Sequence, residues 1–185
     1  MGLRRLLLAL LCAAFAASLS GCFLEPEEEE AKREGLAVRV DGIDYTVFIT
    51  RELNPSLADD SGYWQGPEAK PGFALYGVFI QACNRSDDDD DLDDGTYETT
   101  EEFVVVDTQG NEYEPLEADE ENVFQYHADS LEPGECIPQI GSLAQQGPTA
   151  GAMLPFEFPL EAGENRPLEL EIHSGGEEAL VELDL

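Results

Sequence analysis

The chain has 185 residues, with 41 aspartates and glutamates against nine lysines and arginines, a formal net charge of -32. That balance excludes nucleic-acid binding and electrostatic adsorption to anionic lipid, because both depend on Lys and Arg meeting phosphate. A hydrophobic content of 42%, with six Tyr, nine Phe and one Trp, supplies a core for one domain and excludes a wholly disordered acidic chain.

Residues 1–21 read as a secretory signal: Arg4 and Arg5 lead, and residues 6–19 carry no charge. Fourteen apolar residues fall short of the ~20 that a bilayer-spanning helix needs. The stretch ends in Leu19-Ser20-Gly21-Cys22, which resembles the lipobox of bacterial lipoproteins. The resemblance implies cleavage before Cys22, a diacylglyceryl group on its sulfur, and an extracytoplasmic domain held to the cell membrane through that lipid. Arg4-Arg5-Leu6-Leu7-Leu8 also resembles a twin-arginine export signal, so two export routes stay open. Removing 1–21 takes two arginines and no acid, leaving seven basic against 41 acidic residues, a balance of -34. Residues 22–35 form an acidic tether with too few apolar groups to pack. At about 3.4 Å per residue it reaches at most ~45 Å.

Four cysteines reduce to two once Cys12 is discarded with the signal and Cys22 is assigned to the lipid. Cys83 and Cys136 remain, and an even pair in an oxidising compartment is expected to form a disulfide. A closed loop of about 54 residues stabilises by roughly 4 kcal/mol on the chain-entropy model. Metal ligation would want CxxC or a neighbouring His, and neither cysteine has one.

From residue 36 to the end the pattern is that of strands. Residues 36–40 alternate, Asp41-Gly42 follows, and Ile43, Tyr45, Val47 and Ile49 alternate again; this predicts a hairpin. Residues 51–72 hold three prolines and three glycines and predict a long loop. Residues 73–83 are apolar on both faces, as in a central strand, and 86–102 form an acidic loop. A strand at 103–108 turns through Gln109-Gly110-Asn111 into a partner at Tyr113. A short strand is expected at 123–128, a turn at 131–135 and irregular chain at 141–151. Strands carried by Ala152, Leu154, Phe156 and Phe158, then by Leu168, Leu170 and Ile172, then by Val181, Leu183 and Leu185, complete the domain. Seven to nine short strands with no helix beyond one turn predict an all-β, immunoglobulin-like antiparallel β-sandwich over residues 36–185.

A family resemblance rests on three of these stretches. Asp107-Thr108-Gln109-Gly110-Asn111-Glu112-Tyr113 matches D-x-x-G-x-x-Y, Leu131-Glu132-Pro133-Gly134-Glu135 matches L-x-P-G-E, and Phe156-Glu157-Phe158-Pro159 matches F-x-x-P. In this order they resemble the telokin-like bacterial lipoproteins grouped as domain of unknown function family 4352. The resemblance covers roughly residues 37–172 and implies an extracytoplasmic Ig-like fold, with no catalytic residue to carry over. The Asp-rich insertion and the cysteine pair depart from the pattern.

Three constellations are candidates for chemistry. Residues 87–102 hold ten carboxylates and no Lys or Arg, a density of hard oxygen that suits Ca²⁺. Asp90, Asp94, Gly95 and Glu101 fall on EF-hand positions one, five, the turn and twelve. Leu92 occupies position three, however, and no helices flank the loop, so a solvated acidic loop is the alternative. Tyr63 and Trp64 lie in the long loop, either as a ligand platform or folded back over the open end of the core. His127 and His173 stand apart in sequence and match no copper or zinc spacing.

No nucleophile elbow, HExxH or phosphate loop occurs. Paired carboxylates could serve an envelope hydrolase, but among 41 acids a pair has no specificity. The expectation is therefore a non-catalytic, lipid-anchored binding module of the cell envelope, with an envelope protein or extracellular ligand as partner and no cofactor unless calcium. A calcium-binding or cation-buffering structural domain is the alternative.

Overall fold

Asp41 and Gly42 both take positive φ, 47° and 82°, as a primed two-residue hairpin turn requires. Gly42 has a second reason to be glycine: a Cβ there would lie 2.4 Å from the ring of Tyr97. The turn joins β2 (Ala37–Val40) to β3 (Ile43–Leu53) in the expected register, Val40 opposite Ile43. The computed structural model describes residues 30–86 and 95–185.

Ten further strands follow or precede this pair among the described residues: β1 (Lys32–Arg33), β4 (Phe73–Asn84), β5 (Tyr97–Glu98), β6 (Glu102–Val106), β7 (Glu112–Tyr113), β8 (Ser130–Leu131), β9 (Cys136–Ile137), β10 (Ala152–Pro159), β11 (Leu168–Ser174) and β12 (Glu177–Leu183). Seven of the twelve strands have four residues or more. One sheet runs β1-β12-β11-β6-β7 and the other β10-β4-β3-β2, with β9 also on β4 and β5-β8 as a separate ribbon. The fold is the expected all-β sandwich. Its pairings are antiparallel except that β1 lies parallel to β12 and Gln125 bridges Met153 in parallel. A one-turn helix, α1 (Leu143–Gln146), interrupts the irregular chain before β10, its N-terminus capped by the Ser142 hydroxyl.

The main core lies between the sheets and is built from alternate residues of each long strand, among them Tyr45, Val78, Ile80, Phe103, Phe156 and Leu170. Strand β4 is apolar on both sides because both sides are covered. Its even residues face this core, while Leu75 and Phe79 face a second cluster with Leu53, Tyr63, Trp64 and Met153. The cover on that outer face is the 54–72 loop itself.

Three expectations are corrected. Ile49 does not continue the inward row of β3 but stands 42% exposed. A bulge between Val47 and Ile49 leaves Phe48 extra, so Val47 opposes Ile80 while Ile49 opposes Phe79 on the outer face. Residues 123–128 form no strand beyond the single Gln125 bridge, because the backbone before it turns, Asn122 donating to Asp119 and Gln125 to Asn122, and only Phe124 and Tyr126 reach the backbone of Met153. The third concerns the tether, whose last residues pack: Lys32 and Arg33 pair with Val181 and Glu182, Gly35 donates to Val47, and Asp184 donates to Glu34. Burial raises the Glu34 carboxyl above its ordinary range, while the hydrogen bond from the Asp184 amide partly opposes the rise.

The D-x-x-G-x-x-Y stretch has a physical cause. The Asp107 carboxylate accepts from the backbone of Gln109 and Asn111, the side chains of Asn111 and Asn165, and the Tyr113 hydroxyl. Gly110, at φ 77°, lets the turn close beneath it. Burial alone would raise this carboxyl; the donors, Asn111 foremost, outweigh it and hold the value down to about 2. A depressed carboxylate stabilises the fold above its ordinary 3.8, and the gain is lost as pH falls through about 2. Wild type should therefore exceed Asp107→Asn in urea midpoint by a constant margin from neutral pH down to 3.8, and the margin should close toward about 2. Paired urea titrations across that range check this, and a margin unchanged at the acid end contradicts it.

A cleft between the sheet edges

Strand β7 pairs with β6 only through Val105 and Val106, so Glu102–Val104 lie beside no strand on that side. After β7 the chain leaves this sheet and crosses to the edge of the other, where Leu116 donates to the Pro155 carbonyl of β10, Tyr126 donates to the Met153 carbonyl and Met153 donates to that of Phe124. The crossing segment spans a gap between β6 and β10 without filling it. The result is a cleft of ≈ 580 Å³ in the side of the sandwich.

Its floor is the core itself. Phe103, Tyr126 and Leu154 line it, and each is buried. Phe103 and Tyr126 meet edge to face, ring centroids 5.2 Å apart. Tyr126 donates to the Thr100 carbonyl, and Tyr45 accepts from the Thr100 amide, so one residue pins both phenols. Burial, reinforced by the nearby Tyr45, pushes the Tyr126 phenol upward, and it stays a protonated donor. Half-buried Leu116 and Val104 continue the apolar wall.

The rim is acidic. Glu101, Glu102, Glu114 and Glu117 border the cleft, all exposed, and no Lys or Arg lines it. His127 and His173 sit on the same rim, brought together from strand-distant positions. His173 is flanked by Glu171 at 3.1 Å and Glu178 at 3.8 Å; His127 approaches the Asn122 carbonyl at 3.4 Å. A serine, threonine or cysteine poised beside a base is not among the lining residues.

The candidates from the sequence distribute unevenly. Glu101 reaches the rim, while Asp90 and Asp94 lie outside the described residues, as does Cys22. Among the described residues no group of three His, Cys, Asp or Glu is arranged to hold a metal ion. Tyr63 and Trp64 are not an exposed platform: they are 2% and 7% accessible. Trp64 donates its indole N–H to the Pro67 carbonyl, and the Tyr63 hydroxyl accepts from Thr149 N and donates to Thr149 O. An uncovered outer face would expose Phe79 of β4 and its partner Met153 of β10, and these two rings bury it. Cys83 and Cys136 form the disulfide, directly opposite each other on β4 and β9.

No motif in the sequence joins Glu102, Glu114, Leu116, Glu117, Tyr126 and Leu154 into a site. The available signal was the run of chain from 114 to 128, which is long for a connection and holds few breakers.

No protein-family model matches the chain, and no curated protein matches it. Among solved structures it is similar to an uncharacterized beta-sandwich protein from Clostridium difficile 630, at 15% identity over 85% of this chain and 97% of that one, with a TM-score of 0.49. It is also similar to the yjhA protein from Bacillus subtilis, at 10% identity over 83% and 99% of the two chains, with a TM-score of 0.46.

Proposed function

We propose that this protein is a lipid-anchored, extracytoplasmic binding module of a bacterial cell envelope that takes its ligand in the side cleft and performs no catalysis itself. The observation that carries this is the cleft, where core aromatics form the floor of a cavity sized like a small-molecule site, about 300–1,000 Å³. The disulfide supports an oxidising compartment, since such bridges do not persist in a reducing cytosol. The lipobox-like Leu19-Ser20-Gly21-Cys22 supports the anchor, and the Asp107 and Pro133-Gly134 turns support the likeness to telokin-like lipoproteins.

The anchoring is tested by expressing the full chain in a bacterium fed an alkyne-tagged fatty acid. Wild type should carry the tag and sediment with membranes, and Cys22→Ser should lose both. An untagged wild-type chain recovered in the soluble fraction overturns the anchor.

A further inference from the structure

We infer that the cleft selects a small organic cation: an ammonium or guanidinium group carried on an apolar, ring-sized body. The inference rests on the cleft being the ligand site and adds the chemical class. Two features of one cavity make opposite demands. The half-buried wall of Val104, Pro115, Leu116 and Ala118, laid over the buried Phe103, Tyr126 and Leu154, offers hydrocarbon surface that rewards an apolar body. The rim of Glu101, Glu102, Glu114 and Glu117, with no Lys or Arg lining the cavity, rewards positive charge and repels an anion.

Each alternative occupant fails one demand. A fatty acid or phosphate-bearing molecule meets four carboxylates. A neutral apolar molecule satisfies the floor and leaves the rim unused. A second copy of this chain brings a formal charge of -32 against the same acidic rim. The overall charge adds reach, because an acidic surface raises the local concentration of cations and steers them inward. An amine at the rim also finds its charge beside carboxylates while its body displaces water from the half-buried Val104 and Leu116.

The test uses three probes sharing one body: phenethylamine, phenethyl alcohol and phenylacetate. Binding to the folded extracytoplasmic chain is followed by amide chemical shifts. Phenethylamine should shift Phe103, Tyr126 and Leu154 with millimolar affinity, and the other two should shift them several-fold less. Affinity should fall as salt screens the rim. Removing two rim charges in Glu102→Gln/Glu117→Gln should weaken the amine by roughly three- to tenfold. Glu169→Gln/Glu182→Gln, two acids on the opposite part of the β11–β12 surface, should leave it unchanged.

Equal binding of alcohol or acid in the cleft overturns the cation preference while leaving the cleft as the ligand site. An equal loss in both double variants, with shifts spread over the surface, shows only diffuse attraction to an acidic protein and overturns both. No response to any probe overturns the inference about ligand class.

Discussion

Tyr63→Ala lowers the unfolding free energy by about 4 kcal/mol, in the range for removing a buried aromatic side chain. Tyr63 stands edge-on to Phe79 at 5.0 Å and to Phe124 at 5.2 Å, and the Arg51 guanidinium lies 5.5 Å from its ring centre. Arg51 is itself held there by Asp60 at 2.7 Å and by Thr149. Truncation opens a cavity bordered by both rings and removes one of the two aromatic faces beneath the guanidinium, the other being Phe79. It also strips Thr149 of the hydroxyl that accepts its amide. For a domain of this size the loss corresponds to a melting shift of roughly 8–16 °C. Tyr63→Phe separates the causes, since it keeps the ring and loses only the hydroxyl, at about 1–2 kcal/mol. Thermal melts of both variants check this; an alanine variant melting with wild type contradicts the placement of the 54–72 loop.

Breaking the Cys83–Cys136 bridge is the second large loss, about 4 kcal/mol for the 53-residue separation on the chain-entropy model. Without it, β9 holds to β4 through only two paired positions. What remains is the Asn84 clamp, whose side-chain amide donates to the Gly95 and Leu131 carbonyls while its backbone exchanges with Gly134 and Glu135. Reductant should lower the urea midpoint of wild type to that of Cys83→Ala/Cys136→Ala and leave the double variant unmoved. Hydrogen exchange should rise first at 136–140, whereas Leu131, gripped by Asn84, keeps its protection longer. Matching midpoints with and without reductant refute this loss.

The hairpin at Asp41-Gly42 is legible in the sequence because its constraint is local: two adjacent residues must take positive φ, and the flanking alternation declares the inner face. The pairing of the cysteines is legible for a different reason, since elimination left two. The bulge at Phe48 is not legible, because Val47-Phe48-Ile49 satisfies either register and only the opposing β4 residues decide between them. Tyr63 and Trp64 are half legible. A strand apolar on both faces announces that something must cover the second face, but which loop does so depends on contacts across the sheet. The cleft escapes sequence reasoning altogether. Its lining comes from β6, the crossing segment, β10 and the end of β11, and a gap between sheet edges has no residue pattern of its own. The charged pair Lys32-Arg33 hides β1 in the same way, since its pairing comes from the exposed edge of β12 and not from any apolar alternation.

That short strand also gives the domain a handle and a direction. Because β1 runs parallel to β12, the chain before Lys32 departs toward the end that carries the Asp41 and Gly176 turns, which are tied to each other by Asp41, Ser174 and Glu177. The Asp107 turn and the C-terminus lie at the other end of the sheet. A tug along the chain then slides β1 lengthwise against β12, loading both paired positions together instead of opening them one after the other.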